Sequence, residues 1–386
     1  MAELADQATD GPPLEAFGAA LATLPGMGPA RLGALARTWP LDEAWRRVAT
    51  GRADSEPAVA QALATAASTL PAAWVAAAAG TDPAAVLAAH EAAGVGVSVL
   101  GAPGYPGALA DDLEPPVVLF HQGRLDALDG PRVAIVGTRA CTPYGREVAR
   151  DLGRDLAEAG VRVVSGLALG IDGAAHTGAL RAGGSPVVGV VGSGHDVVYP
   201  RGHRELWRRV ATEGLLLSES PLGSAPDRWR FPSRNRLLAA LADAVVVVES
   251  RRSGGSMYTV DAALEREVAV LAVPGPVGSP ASEGTNLLLG EGALLCQGAD
   301  DVLTLLGLSA GVARRGTGRV DPRPAPTGVD HEVLEALGHR PAALEQLAAR
   351  TGLGLADLAT ALHRLEATGW VTADGGWYAR AGRPDR

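Results

Sequence analysis

The sequence predicts an α/β protein in which a doubly wound parallel sheet lies between a helical N-terminal domain and a smaller C-terminal domain. Three observations support this class: valine-rich runs alternate with helical patterns over 131–308, apolar residues recur at helical spacing before residue 100, and a proline- and arginine-rich stretch follows at 314–328. A chain of 386 residues is long enough for each of these segments to bury its own core.

The N-terminal segment is predicted to be all-α over residues 1–100. Apolar residues recur at three- and four-residue spacing in two runs, through Leu14, Phe17, Leu21 and Leu24, then through Leu32, Leu35 and Ala36. Between them, Gly26 and Gly28 permit a tight turn, and Pro29 can open the second helix at its first position. The pattern resembles a helix-hairpin-helix or SAM-like domain, whose hairpin N–H groups can face a DNA phosphate, and it equally fits a helical hairpin without a ligand.

The middle segment, 101–310, is predicted to be a Rossmann-like domain. Its strands read VAIVG, VRVVSG, PVVGVVGSG, GLLLSE, AVVVVES and VAVLAVPG. Short, nearly continuous apolar strands separated by helices indicate a parallel sheet that is covered on both faces. Ligands of such sheets bind outside the carboxyl ends of the strands. Here those ends carry Gly137, Thr138, Arg139, Ser165, Gly166, Gly192, Ser193, Gly194, Glu219, Ser220 and the glycine-rich loop 253–256.

The C-terminal segment is predicted to be a linker over 311–328 and a winged-helix domain over 329–380. Three short helical patterns precede WVTADGGWYA, a hairpin with Asp374 and Gly375 at its turn. The presumed recognition helix, 355–368, carries Asp357 and Glu366 against Arg364 alone. A helix that reads duplex DNA should be more basic, so we favour a partner-docking or structural role over DNA reading.

Charge is distributed unevenly along the chain. The net charge is −9, and residues 1–130 hold 15 acids and 6 arginines, whereas 131–236 hold 15 arginines and 10 acids. Lysine is absent, so the side-chain cations are guanidinium groups, which stack on planar rings and bind phosphate through paired hydrogen bonds. The middle segment is therefore locally cationic in an acidic protein.

The stretch RWRFPSRNR at 228–236 concentrates these cations with aromatic side chains. It comes directly before the helical LLAALADA, so we predict a loop that enters a helix at the ligand-binding edge of the sheet. Bases stack on aromatic faces for about 1–3 kcal/mol each, and arginines follow the phosphates between them, which suits an unpaired strand. The alternative is a structural helix start with Trp229 and Phe231 packed in the core.

The sequence patterns do not favour a catalytic site. No GxGxxG follows the first strand, which argues against a dinucleotide dehydrogenase, whereas Arg139 close after that strand favours anion binding. Asp172 and His176 are four residues apart, as in an acid/base pair or two metal ligands, but Asp172 also follows glycines where an N-cap belongs. We predict no catalytic residue, no metal and no cofactor.

A second hypothesis comes from SGGSMYTVDAALE at 253–265. This glycine-rich loop resembles the PGGxGTxxE loop of nucleotide phosphoribohydrolases, which share this kind of sheet, but Met257 replaces the glycine at the fifth position. The alternative function is thus a nucleotide-binding enzyme of the phosphoribohydrolase type.

The sequence also favours a cytoplasmic location without membrane association. The acidic N-terminus has no apolar signal region, and the longest alanine-rich run, 72–79, is too short to span a bilayer. Cys141 and Cys296 have no partner spacing for a disulfide framework or a metal site, so both are expected to be reduced.

The ordered motifs of the sheet resemble one family. VAIVGTRACTPYG (133–145), VVSGLALGIDGAAHTGAL (163–180), VVGSGHDVVYP (190–200), FPSRNRLLAALADAVVVVES (231–250) and VLAVPGPVGSPASEGTNLLLGEGA (270–293) resemble the DNA-processing protein A family, also called DprA or Smf. The resemblance implies a non-catalytic protein that binds single-stranded DNA, acts beside single-strand binding protein and loads the RecA recombinase during natural transformation (competence) and DNA recombination. It also implies a homodimer formed through the core.

The resemblance and the residue patterns together predict a binding site for single-stranded DNA. The family's G-[ST]-R arginine corresponds to Arg139, and the cation and aromatic of its F-P signature correspond to Arg228 and Phe231. The complete predicted site comprises Gly137, Thr138, Arg139, Gly166, Ser193, Gly194, Arg228, Arg230, Phe231, Arg234, Asn235 and Arg236.

Overall fold

The computed structural model describes residues 11–64, 69–308, 323–338, 341–374 and 376–381. These form two compact units, Met1–Gly311 and Val312–Arg386, which are treated separately below. The predicted boundary at residue 100 falls inside the first unit and stays a prediction. Most of the predicted linker and the acidic first ten residues lie outside the described part of the chain.

Helices open the first unit. Pro29 occupies the first turn of the second helix and Gly26 has φ +63°, so the turn between the first two helices uses the residues that the sequence indicated. The described helices before the sheet pack their apolar faces against its first two strands around Leu21, Leu35 and Phe120. They are α1 Leu14–Thr23, α2 Pro29–Thr38, α3 Leu41–Ala49, α4 Pro57–Leu63, α5 Leu70–Ala79 and α6 Pro83–Ala92.

A nine-stranded sheet follows, and the predicted α/β class is confirmed. The strands are β1 Gly96–Val99, β2 Val118–Gly123, β3 Arg132–Val136, β4 Arg162–Ser165, β5 Val188–Val190, β6 Leu215–Ser218, β7 Ala244–Val247, β8 Ala269–Ala272 and β9 Leu294–Leu295. The helices between and after them are α7 Gly107–Ala110, α8 Pro143–Glu158, α9 Ile171–Ala182, α10 Arg204–Glu213, α11 Arg230–Ala240, α12 Met257–Glu265, α13 Glu283–Gly290 and α14 Ala299–Leu305.

The sheet has the order β1-β2-β6-β5-β4-β3-β7-β8-β9. In this sheet order, β6, β5, β4, β3, β7, β8 and β9 are parallel to one another. The strands β1 and β2 extend the β6 edge of the sheet in antiparallel orientation. Within β3, Val133 and Ile135 belong to one hydrophobic cluster and Ala134 and Val136 to another. Successive side chains point to opposite faces, so both faces of this strand are covered, as its continuous apolar sequence predicts.

The strand order reverses between β3 and β7. After β3 the chain builds β4, β5 and β6 on one side, and then returns to place β7 on the other side of β3. The crevice at the carboxyl ends of β3 and β7 is therefore a topological switch point, where ligands of open α/β sheets bind.

The start of α11 differs from the prediction. The helix begins at Arg230, so most of the RWRFPSRNR stretch forms its first turns instead of a preceding loop. Pro232 lies in the first turn, where a backbone N–H would have no acceptor within the helix, and it therefore costs no helical hydrogen bond. The side chains of this stretch consequently follow helical spacing and face different directions.

The second unit has winged-helix architecture. Its described elements are α15 Val329–Leu337, β10 Ala342–Ala343, α16 Leu344–Thr351, α17 Leu355–Ala367, β11 Val371–Asp374 and β12 Trp377–Arg380. The sheet order is β10-β12-β11, and Leu347, Leu362 and Val371 share one buried core. Gly375, predicted at the turn of the hairpin, lies outside the described residues.

Within the described residues, no single helix is both long and apolar enough to cross a membrane. The helices α5 and α6 meet the length and composition criteria only as a pair, which is bent by 76°.

Candidate nucleic-acid interface

The loop after β3 is fixed to the loop after β7. The Thr138 backbone N–H donates to the Glu249 carbonyl oxygen over 2.7 Å. A Cβ atom built on Gly137 would lie 2.7 Å from that same oxygen and 2.6 Å from Cγ1 of Ile171, so the close approach requires glycine. Arg139, which follows Thr138, is exposed at the switch point.

Arg139 lies over an aromatic pair. Its guanidinium carbon is 4.7 Å from the centroid of the Phe231 ring. Phe231 in turn contacts Tyr199, with ring centroids 5.5 Å apart and planes inclined at 44°. Phe231 is half-buried and Tyr199 is 41% exposed. We refer to Arg139, Phe231 and Tyr199 as the aromatic surface.

Sequence reasoning missed Tyr199. The predicted site includes only Ser193 and Gly194 from its motif, VVGSGHDVVYP. Aromatic residues are 4% of this chain, so a tyrosine close to a ligand-binding loop was an available signal.

A second cation–aromatic pair begins α11. The guanidinium carbon of Arg230 lies 4.6 Å from the Trp229 ring centroid, and its Nη1 donates to Ser220 Oγ over 2.6 Å. Trp229 is 47% exposed. Neither Trp229 nor Phe231 belongs to a described hydrophobic core cluster, so the structure does not place these rings in the core.

Arg234 is buried beneath this surface. The side chain is 6% exposed, and its Nη1 donates to the Val190 carbonyl oxygen at the end of β5. Burial lowers the pKa of Arg234 to about 10, while the nearby Asp172 opposes that shift. A side chain at Gly166 would overlap the Arg234 guanidinium, which explains why glycine follows β4. The sequence pattern predicts that Arg234 is one of the arginines that follow the phosphates, but the structure buries its side chain.

The remaining polar residues of RWRFPSRNR differ in whether their side chains are bound to other protein groups or exposed. Arg236 donates to the Glu114 carbonyl oxygen over 2.7 Å and also pairs with Glu219. Asn235 donates to the Gly255 carbonyl oxygen over 3.0 Å, which ties α11 to the glycine-rich loop. Arg228 is exposed and has no ion pair within the described part of the chain. Arg139, which contacts the Phe231 ring, and Arg228, three residues before Phe231, are therefore exposed cations of the predicted site.

The comparisons with known proteins identify the family. A family model described as DNA recombination-mediator protein A matches residues 96–307, which span the whole nine-stranded sheet. The chain belongs to the DNA recombination-mediator protein A family. A model of the DprA winged-helix domain matches residues 318–376.

Individual DprA relatives cover most of the chain. A putative DNA processing protein DprA of Mycobacterium tuberculosis is 43% identical over 271 residues, which are 68% of each chain. Protein Smf of Escherichia coli is 35% identical over 285 residues, 72% of this chain and 75% of that one. The X-ray structure of DprA from Streptococcus pneumoniae has a TM-score of 0.61 and 30% identity, and the match covers 75% of this chain and 96% of that chain.

In this DprA-family chain, Ser193 and Gly194 shape a loop. Ser193 is buried and donates to the Val197 carbonyl oxygen over 2.7 Å. The Gly194 N–H donates to the Ser224 carbonyl oxygen over 3.0 Å. A Cβ atom on Gly194 would lie 2.5 Å from the Pro221 oxygen, so this position also requires glycine. The two residues fix the loop and do not present side chains to the surface.

Asp172 and His176 bind the backbone. The N-cap of α9 is Gly170, so Asp172 lies in the first turn and not at the predicted cap, and it accepts a hydrogen bond from the Gly166 N–H over 3.1 Å. His176 Nε2 lies 3.1 Å from the Val188 carbonyl oxygen, and burial lowers the pKa of the imidazole to about 4. The described residues contain no group of three or more histidine, cysteine and acidic side chains that could hold a metal ion.

Proposed function

We propose that this DprA-family chain binds single-stranded DNA at the carboxyl edge of its sheet and mediates recombination without catalysing a reaction. The observation that carries the proposal is the aromatic surface, where the exposed Arg139 lies 4.7 Å from the Phe231 ring at the topological switch point. The family assignment provides the recombination-mediator role, and the residues provide the class of ligand.

The chemistry of the aromatic surface favours an unpaired strand. Tyr199 and Phe231 are partly exposed aromatic rings on which an unpaired base can stack, whereas the bases of a duplex already stack on each other. Arg139 and Arg228 can bind phosphates on either side of such a base through charge-assisted hydrogen bonds. Every base has a face that can stack on an aromatic ring, so we expect little sequence preference.

We further propose the cellular role that the family resemblance implies. The chain would load the RecA recombinase onto single-stranded DNA beside single-strand binding protein, as a cytoplasmic homodimer formed through the core, in DNA recombination and natural transformation. Because Met257 stands where the phosphoribohydrolase loop has its third glycine, we favour this role over nucleotide hydrolysis.

The test compares single-stranded and duplex oligonucleotides of equal length, about 20 nucleotides, by fluorescence anisotropy at two salt concentrations. We expect tighter binding of the single strand at both salts. Equal affinity or a duplex preference would overturn the proposal. A parallel assay for release of a free base from nucleoside monophosphates tests the phosphoribohydrolase alternative, and turnover would establish that enzyme instead.

A further inference from the structure

A groove of about 940 Å³ lies in the first unit between the N-terminal hairpin and α11. One wall consists of residues from Gly26 to Arg37, which are the turn after α1 and most of α2. The other wall is formed by α11 together with Val191, Gly192, Ser220 and Pro221 at the ends of β5 and β6. A volume of this size is in the range of about 300–1,000 Å³ that small-molecule sites occupy.

Trp229 lines the groove directly before the start of α11. Its ring lies against the hairpin, because a Cβ atom on Gly28 would be 3.2 Å from Cη2 and 3.3 Å from Cζ3 of Trp229. The ring remains 47% exposed, and it lines the groove. Phe231 follows two residues later, so the groove and the aromatic surface both lie at the N-terminal end of α11.

The groove is cationic although the N-terminal segment is acidic. Its charged lining consists of five arginines and two glutamates, which are Arg31, Arg37, Arg230, Arg234, Arg236, Glu114 and Glu219. Both glutamates lie within 4.0 Å of Arg236, at 3.6 Å for Glu114 and 2.5 Å for Glu219. Arg230 lies 3.5 Å from Asp227, which does not line the groove, whereas Arg31, Arg37 and Arg234 form no ion pair with any described residue.

Arg234 gives independent support for an anionic ligand. It is 6% exposed, its Nε has no hydrogen-bond partner, and it forms no ion pair within the described ranges of the chain. The nearby Asp172 interacts with this guanidinium from beyond ion-pair distance, so a phosphate in the groove would give a costly buried charge a closer counter-ion. Arg31 is similar in one respect, because its Nε is buried without a partner while its Nη1 donates to the Gly26 carbonyl oxygen over 2.5 Å.

We propose that this groove binds the continuation of the same DNA strand that the aromatic surface binds. The strand would pass Trp229 and place its phosphates between the arginines of α2 and those of α11. Leu113 and Val117 add apolar lining on which unpaired bases can pack. The inference rests on the proposed function and assigns the N-terminal hairpin to the binding site.

The test uses the full-length chain and oligothymidylates of about 5 and about 20 nucleotides. The double variant Arg31→Ala/Arg37→Ala should bind the longer strand about tenfold more weakly, with a salt slope shallower by up to about 1.4, and bind the shorter strand like the wild type. Arg139→Ala should weaken the binding of both strands. Arg52→Ala is the matched control, since Arg52 is an exposed cation of the same helical segment that does not line the groove.

If the double variant unfolds, Arg37→Ala alone provides the same test. Arg37 is exposed, so its replacement removes one cation and leaves the contact of Arg31 with the hairpin intact. It should weaken the binding of the longer strand and make its salt slope shallower by up to about 0.7. If these variants bind the longer strand with wild-type affinity while Arg139→Ala binds it more weakly, the groove proposal is wrong and the proposed function stands. Absence of single-strand binding by the wild type would overturn both this proposal and the proposed function.

Discussion

Arg139 and Phe231 touch each other, yet they should contribute different energies to DNA binding. Arg139→Ala should weaken single-strand binding and make the dependence of log K on log salt shallower by up to about 0.7, since about one counterion fewer is released. Phe231→Ala should cost about 1–3 kcal/mol of binding free energy with little change in salt slope, because it removes a stacking face. Salt titrations of the wild type and both variants measure the difference.

Two controls keep this residue-scale prediction interpretable. Both variants should melt close to the wild type, because Arg139 is exposed and Phe231 lies outside the described core clusters. Arg52→Ala again controls for the loss of a surface cation. If Phe231→Ala melts far lower but binds DNA normally once folded, Phe231 supports the start of α11 and does not stack on a base.

At the scale of elements, the contact between α9 and β5 predicts a pH dependence of stability. His176 is fully buried, and burial lowers its pKa from 6.5 to about 4. In the unfolded chain the His176 imidazole is therefore protonated below about pH 6.5, whereas in the folded chain it is protonated only below about pH 4. The stabilising contribution of the neutral imidazole is complete above pH 6.5 and is lost as the pH falls toward 4, by up to about 3 kcal/mol.

Replacing His176 by glutamine removes this titration while an amide can still donate to the Val188 carbonyl oxygen. Arg234 and His203 face His176 and remain in place, and His195, whose pKa burial also lowers to about 4, titrates in both proteins. Denaturant unfolding at several pH values between 7 and 4.5 should show a shallower pH dependence for His176→Gln. Parallel curves for the two proteins would contradict the assigned pKa shift.

At the scale of the whole molecule, removal of residues 315–386 should leave single-strand affinity within about threefold of the intact chain. In the second unit Arg364, on α17, donates to Asp330 over 3.0 Å, and the same helix carries Asp357 and Glu366. Phosphate contacts dominate affinity, and a helix with this charge balance offers few of them. Equilibrium binding of the truncated and intact proteins, with their melting temperatures compared, provides the test. A much larger loss would assign part of the binding surface to the winged helix.

The sequence by itself determined the α/β class of this fold and the strands β3 to β8. Strand β3, the hairpin turn at Gly26 and Pro29, and the α/β alternation follow from patterns that span a few neighbouring residues. The family motifs also lie within continuous stretches, so the family could be recognised before any tertiary contact was known. The predicted α/β class and the family assignment are accordingly confirmed, whereas the binding residues remain a proposal.

Only the tertiary structure decided which cations of one stretch are accessible. Arg228 is exposed, Arg234 is buried against the end of β5, and Arg236 is paired with Glu219. Because α11 begins at Arg230, its side chains point in different directions around the helix, and their partners come from strands and loops distant in sequence. The contacts of Tyr199 with Phe231 and of Gly28 with Trp229 have the same origin. Periodicity reports local backbone conformation, but burial and ion pairing depend on which distant elements the fold brings together.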